Sequence, residues 1–299
     1  MPEGNEIHRW AARHFAAFGG RAVRVDGPQG RFTDSAVIDG RKLARVMVAG
    51  KHLGYDFGRD RILHVHLGLQ GDFTEGSGPL PEVKGALRLR MWNAAAVKKP
   101  AGPNGSKPHR WYSEDDGTDN IAPEKVAWVE LRGPMDCSVY SQEMWERLLG
   151  RLGPDPLNGD GAEKFLERVK KSRKSIGELL MDQTVAAGVG NIFRAELLYR
   201  AKLSPFVSGR EVEDGALRSI WKDAGVLMKA AMVDRRIVTT RAKDRPHTRG
   251  PVLKEEAHYV YRRQGRPCFV CGTKILTKVM AGRNLFWCPV CQAEDGGRV

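Results

Sequence analysis

Two groups of residues in this 299-residue chain have types and spacings that chemistry can use. At the start, MPEGNEIHRW places Pro2 beside Glu3. Most termini are solvated and expendable. An initiator methionine ahead of a small residue is normally removed, and the chain would then begin with a secondary amine next to a carboxylate. Near the other end, PCFVCGTKILTKVMAGRNLFWCPVCQ carries Cys268 and Cys271, sixteen intervening residues, then Cys288 and Cys291. Two CxxC pairs at this distance read as a tetrahedral thiolate zinc site, each pair chelating from a tight knuckle with a hairpin between. Four protein ligands leave no open position, so the one zinc ion expected there is structural. Arg283, on the intervening hairpin, is a candidate for entering a nucleic-acid groove; the competing reading is a ribbon that only clasps the fold.

A third stretch, SIGELLMDQTVAAGVGNIFRAELLYRAKLSP, joins two helical patterns through the glycine-rich turn VAAGVGN. Such a turn lets backbone N–H groups approach an anion, and the second helix adds its dipole, so phosphate is the expected guest. An ordinary helical hairpin is the competing reading. Asn191 is either a plain N-cap or a ligand for a phosphate oxygen. Lys51, in AGKHLGYDF, reads on its own as a solvated charge.

These residues need a scaffold to hold them. The hydrophobic content of 41% can build real cores, and 49 Lys and Arg against 36 Asp and Glu give a formal charge of +13. That excess suits a polyanionic partner. No apolar run has the length of a membrane span, and the start lacks the layout of a secretory signal, so the expected location is the cytoplasm. Five cysteines then argue against a disulfide scaffold, with Cys137 expected as a buried apolar filler.

Apolar residues recur at helical spacing from Ile7 to Phe15 and stop at Gly19-Gly20, which predicts an N-terminal helix. From Arg21 to about Tyr140, short alternating runs separated by Gly, Asp and Asn predict an antiparallel sandwich or barrel. A Pro-, Gly- and Lys-rich stretch over 93–125 interrupts them and is expected to be a flexible insert. RLGPDPLNGDG reads as a hinge. Helical patterns follow, then the aperiodic basic stretch RRIVTTRAKDRPHTRG and the cysteine region. The expected domains are 1–150, 151–262 and 263–299.

MPEGNE, GKHL, HLGLQG, MDQTVAAGVGNIFRAELL and GRNLFWCPVCQ, in that order, resemble the formamidopyrimidine-DNA glycosylase and endonuclease VIII (Fpg/Nei) family. The likeness spans nearly the whole chain outside the insert and is nearest to the actinobacterial endonuclease VIII branch. It implies an α+β fold: an N-terminal helix with an antiparallel β-sandwich, a helical domain with a helix-two-turn-helix, and a four-cysteine zinc-finger hairpin. It also implies a bifunctional enzyme that excises an oxidised base and cuts the abasic strand by β,δ-elimination. Pro2 is then the nucleophile, Glu3 the acid/base group, and Lys51 a phosphate contact that assists the sugar chemistry.

By the same likeness Glu6 helps hold the opened sugar, Asn191 and Arg283 grip phosphates, and Leu69 and Gln70 wedge into the gap left by the extruded nucleotide. Arg132, in VELRGPMDCS, is a phosphate or base-edge contact, without the aromatic partner found in the Fpg branch. Damaged duplex DNA is the expected partner, with single-stranded DNA a second candidate; no membrane contact and a monomeric chain are expected. Oxidised pyrimidines are favoured over 8-oxoguanine. The alternatives are an Fpg-like 8-oxoguanine glycosylase, a non-catalytic damaged-DNA-binding protein, and a zinc-ribbon protein for structured RNA.

Overall fold

The computed structural model describes residues 2–93, 109–110, 122–159 and 161–293. Most of the expected insert, 94–108 and 111–121, lies outside them. The described chain forms two compact units, Pro2 with Ile7–Gly150, and Glu3–Glu6 with Arg151 onward.

In the first unit, helix α1 (Gly4–Phe18) buries Ile7, Trp10, Ala11, His14, Ala17 and Phe18 along one face. Ten strands follow: β1 (Ala22–Asp26), β2 (Arg41–Lys42), β3 (Arg45–Ala49), β4 (His52–Asp56), β5 (Ile62–His66), β6 (Asp72–Gly76), β7 (Leu87–Trp92), β8 (His109–Arg110), β9 (Trp128–Arg132) and β10 (Asp136–Tyr140). They make a six-stranded sheet, β2-β1-β7-β9-β6-β8, and a four-stranded sheet, β10-β5-β4-β3, so of the two architectures expected from the alternation the sandwich is the one formed. Val23, Phe73, Leu89 and Leu131 from one sheet share a core with Leu53, Tyr55, Leu63 and Val65 from the other, and with Trp10 and Phe18 of α1. Cys137 packs at the edge of that core, its thiol pushed up to about 12 chiefly by burial. Between β1 and β2 runs the single-turn helix α2 (Ser35–Ile38). The unit closes with α3 (Gln142–Arg151), whose Trp145 indole lies where a Cβ on Gly54 would have to go, 2.8 Å away.

In the second unit, α4 (Ala162–Lys170), α5 (Ile176–Leu179), α6 (Asn191–Arg200) and α7 (Asp214–Asp234) enclose Phe165, Val169, Ile176, Phe193, Leu197, Trp221 and Met228. α5 starts at a capping box: Ser175 accepts the Glu178 N–H, and the Glu178 carboxylate accepts the Ser175 N–H. A hairpin of β11 (Leu276–Met280) and β12 (Arg283–Trp287) carries the cysteine knuckles and packs on Tyr199 and Tyr259. The basic stretch after α7 has no periodicity, as its sequence suggests, but its base is tied down. Thr239 Oγ1 donates to the buried Glu196 carboxylate, which also accepts the N–H groups of Tyr259, Val260 and Tyr261.

Among the described residues, no helix is long and apolar enough to cross a membrane.

Candidate catalytic and nucleic-acid site

Glu3 is almost wholly buried, 1% exposed. Its Oε1 accepts the Ile192 N–H at 2.7 Å and its Oε2 accepts the Phe193 N–H at 3.3 Å. These are orphan donors in the first turn of α6, whose N-cap, Gly190, offers no side chain. A carboxylate suits the positive end of a helix. Glycine is required beside it, because a Cβ on Gly190 would fall 2.6 Å from the Glu3 carboxyl carbon. The turn also receives the start of the chain: Gly4 N–H donates to Gly188 O at 2.8 Å, and Gly188 takes φ +85°. The N–H groups of Ile192 and Phe193 are thus already used by the protein's own Glu3 carboxylate. Pro2, buried, stands one peptide bond before it, and Glu6, half-buried, donates its N–H to Glu3 O at 3.0 Å.

Asn191 is not the cap that its position suggested. Its Nδ2 donates to Asn284 O at 2.9 Å, and its Oδ1 accepts from Arg194 Nη2. Arg194 has no exposed surface; its Nη1 donates to Met280 O at 3.0 Å, and burial holds it down to about 10. Through these two residues α6 grips the β11–β12 hairpin. Arg283, at the start of β12, donates from Nη1 to Gly282 O at 2.9 Å, while its buried Nε has no hydrogen-bond partner.

The four cysteines converge as their spacing requires. Their Sγ atoms all lie within 4.8 Å of one another, with Cys271 to Cys288 at 3.4 Å and Cys268 to Cys291 at 3.9 Å. A tetrahedron with Zn–S bonds of about 2.3 Å has edges near 3.8 Å, so the donor set fits zinc. The Val270 and Cys291 N–H groups donate to Cys268 and Cys288 Sγ, each at 3.4 Å, and the Tyr199 hydroxyl lies 3.1 Å from Cys268 Sγ. Such contacts orient thiolate ligands.

In the first unit, Lys51 occupies the two-residue turn between β3 and β4. Ala49 pairs with His52, and Gly50 supplies the φ of +59° that the turn needs. Leu69 and Gln70 lie exposed on the β5–β6 loop. Beside them is Met135, 70% exposed, whose Cβ would meet a Cβ on Gly68 at 2.8 Å. An apolar residue next to a glycine-proline turn was the available signal for Met135, and alone it is weak.

Arg132, at the end of β9, has several partners within the protein. It donates to Glu130 at 2.6 Å, to Thr74 Oγ1 at 3.1 Å and to Lys84 O at 3.3 Å. Glu130, 1% exposed, also binds Arg90. A buried carboxylate needs such partners, so the guanidinium helps to hold the sheet.

Comparison with known proteins agrees with this layout. Residues 152–242 match a family described as "Formamidopyrimidine-DNA glycosylase H2TH domain", and residues 265–293 match "Zinc finger found in FPG and IleRS". Endonuclease 8 1 of Mycobacterium tuberculosis is 40% identical over 98% of this chain and 100% of its own length. Formamidopyrimidine-DNA glycosylase of Thermus thermophilus is 30% identical over 98% and 99%. The crystal structure of the Fpg protein from Thermus thermophilus superposes with a TM-score of 0.69 at 26% identity, covering 98% of this chain and 99% of its own. A Lactococcus lactis Fpg complex with THF-DNA and an inhibitor shares the fold, at a TM-score of 0.72 and 20% identity over 98% of this chain and 100% of that one.

Proposed function

The chain belongs to the Fpg/Nei family of DNA glycosylases, and on that premise we propose a bifunctional enzyme that removes oxidised bases, pyrimidines foremost, and then cleaves the abasic strand. The observation that carries this reading is the fixed Glu3 carboxylate, one peptide bond after Pro2. With the initiator methionine removed, Pro2 has a secondary amine at the chain terminus. Terminal amines titrate near pH 7.7 to 8.0, so a useful fraction is neutral in the cell.

The amine nitrogen attacks the sugar C1′ of the damaged nucleotide as the C1′–base bond breaks, the amine proton is lost, and cleavage of the C1′–O4′ bond, with a proton delivered to O4′, opens the sugar and leaves an iminium. The iminium acidifies C2′. Removal of a C2′ proton expels the 3′ phosphate, and a second elimination expels the 5′ phosphate. Both steps need a positioned proton carrier, and Glu3 has the fixed geometry for it. Lys51 at its tight turn holds the flanking phosphate and assists the sugar chemistry, and Glu6 steadies the opened sugar.

DNA, duplex and in part single-stranded, is held by its phosphates, to which Asn191 and Arg283 present the α6–hairpin junction. Leu69 and Gln70, with Met135 beside them, fill the space that the extruded nucleotide leaves. One zinc ion on Cys268, Cys271, Cys288 and Cys291 fixes the hairpin, and a single chain suffices.

Oxidised pyrimidines are favoured because they have lost aromaticity and stack poorly, so extrusion asks less of a wedge without an aromatic ring. The 40% identity to an endonuclease 8 supports the same choice. One observation favours 8-oxoguanine instead. The stretch after α7 is tied at its base through Glu196, as an ordered cap over a purine would be. Borohydride reduction on abasic duplex DNA tests the enzymatic reading: a covalent adduct supports it, and its absence leaves a damage-binding protein.

A further inference from the structure

The outer face of the four-stranded sheet carries a polar chain that the reaction above does not use. Strand register places His52, His66 and Asp136 in one row across β4, β5 and β10, and Gly54, His64 and Ser138 in the next. Side chains on alternate residues share a face, so all of these point the same way. The Asp136 carboxylate accepts from Ser138 Oγ at 2.9 Å, from the Tyr140 hydroxyl at 3.1 Å and from His64 Nδ1 at 2.7 Å. His64 Nε2 then lies 3.0 Å from His52 Nδ1. His52 stacks on His66 with centroids 4.5 Å apart, and His64 stacks on Tyr140 at 4.3 Å.

The chemistry of these contacts fixes the protons. An ionised carboxylate only accepts, so His64 carries its proton on Nδ1. A neutral imidazole has one donor and one acceptor, so His64 Nε2 is bare and the proton between the rings sits on His52 Nδ1. His52 Nε2 is therefore left bare. Burial lowers His52 to about 3 and also lowers His64 and His66, which keeps the rings neutral at cellular pH. Lys51 is near enough to push both His52 and His66 further down.

We propose that Asp136, His64 and His52 form an oriented relay whose end, the bare Nε2 of His52, is a hydrogen-bond acceptor that positions the Lys51 ammonium. Asp136 and His64 act only through His52. Without the relay His52 exchanges tautomers, and its Nε2 is no longer held as an acceptor.

The kinetic part rests on Lys51 serving the reaction as proposed; the tautomer part does not. Long-range ¹⁵N–¹H correlation on the full-length protein at pH 7.5 reads the tautomers directly. The expected result is Nδ1–H with bare Nε2 on both His52 and His64; an Nε2–H on His52 overturns the relay. Single-turnover cleavage of abasic duplex then tests the coupling. His52→Gln and Asp136→Asn are expected to slow the saturated rate about tenfold, with DNA affinity changed less than about twofold, and neither to slow the Lys51→Ala enzyme further. Equal slowing in both backgrounds means that the network only supports the sheet, and the proposal fails. If instead the wild-type protein gives no borohydride adduct while the tautomers are as expected, the relay stands and the assigned reaction fails.

Discussion

Glu3 Oε1 accepts the Ile192 N–H at 2.7 Å across 189 positions of sequence, so the start of the chain and the N-terminus of α6 are one structural unit. Capping the helix is the duty these contacts give the carboxylate, and carrying protons is the second duty that we propose for it. Conservative substitution separates them.

Glu3→Gln keeps an oxygen for one of the two N–H groups and loses the proton-carrying acid. The expected cost in stability is about 1 kcal/mol, as for an ordinary helix cap. Strand cleavage should slow by about 10²- to 10⁴-fold. Urea titration and single-turnover rates check the pair. A variant as fast as the parent removes Glu3 from the chemistry and leaves it a cap.

The zinc hairpin separates binding from coordination. Cys288, buried with no exposed surface, supplies a ligand, and Cys288→Ser should lower zinc content and DNA affinity together. Tyr199→Phe removes only the hydroxyl 3.1 Å from Cys268 Sγ, and zinc affinity should fall about 10- to 100-fold. Arg283→Ala should retain zinc and flatten the salt dependence of binding by about one phosphate contact. Atomic emission and fluorescence titration over a salt series give all three, and an unchanged salt slope in Arg283→Ala assigns the hairpin to the fold alone.

On lesion choice, dihydrouracil, thymine glycol and 5-hydroxyuracil should each leave duplex DNA faster than 8-oxoguanine opposite cytosine, in one buffer under single-turnover conditions. Faster loss of 8-oxoguanine than of every pyrimidine would mean that the tied stretch after α7 caps a purine.

The sequence made the cysteine site and the sandwich legible because both depend on local patterns, ligand spacing in one case and alternation in the other. Glu3 was legible by resemblance, but its place on α6 was not, since a cap 189 residues away leaves no mark near Gly190. The internal partners of Asn191 and Arg132 were hidden for a related reason. Asn191 bonds Arg194 and the β11–β12 hairpin, and Arg132 bonds Glu130, Thr74 and Lys84, partners that the residues next to each in sequence do not announce. The Asp136–His64–His52 chain depends on the register of three strands, which no single stretch of sequence encodes.

Burial sets the response to acid. His14 lies fully buried with its Nδ1 2.6 Å from the Tyr55 hydroxyl, and burial, with Arg13 and Arg9 adding, lowers it from 6.5 to about 3. Between those values the unfolded chain binds a proton that the folded chain does not. Stability from this group is present above pH 6.5 and is lost as pH falls toward 3, by up to about 1.4 kcal/mol per pH unit. His52, lowered to about 3 chiefly by burial, adds in the same direction. Urea titrations at pH 7, 5.5 and 4.5 should show the loss, and His14→Gln should reduce the slope by about one proton. An unchanged slope in that variant would show that His14 is charged in the fold.

The central claim is that the Pro2 nitrogen forms the bond to C1′. Borohydride-trapped adduct on abasic duplex DNA, digested and mapped by tandem mass spectrometry, locates that bond. The account predicts the deoxyribose remnant on the N-terminal peptide beginning at Pro2, and no adduct from protein that retains Met1. A remnant on an internal lysine such as Lys51, or undiminished trapping by the Met1-blocked protein, contradicts it.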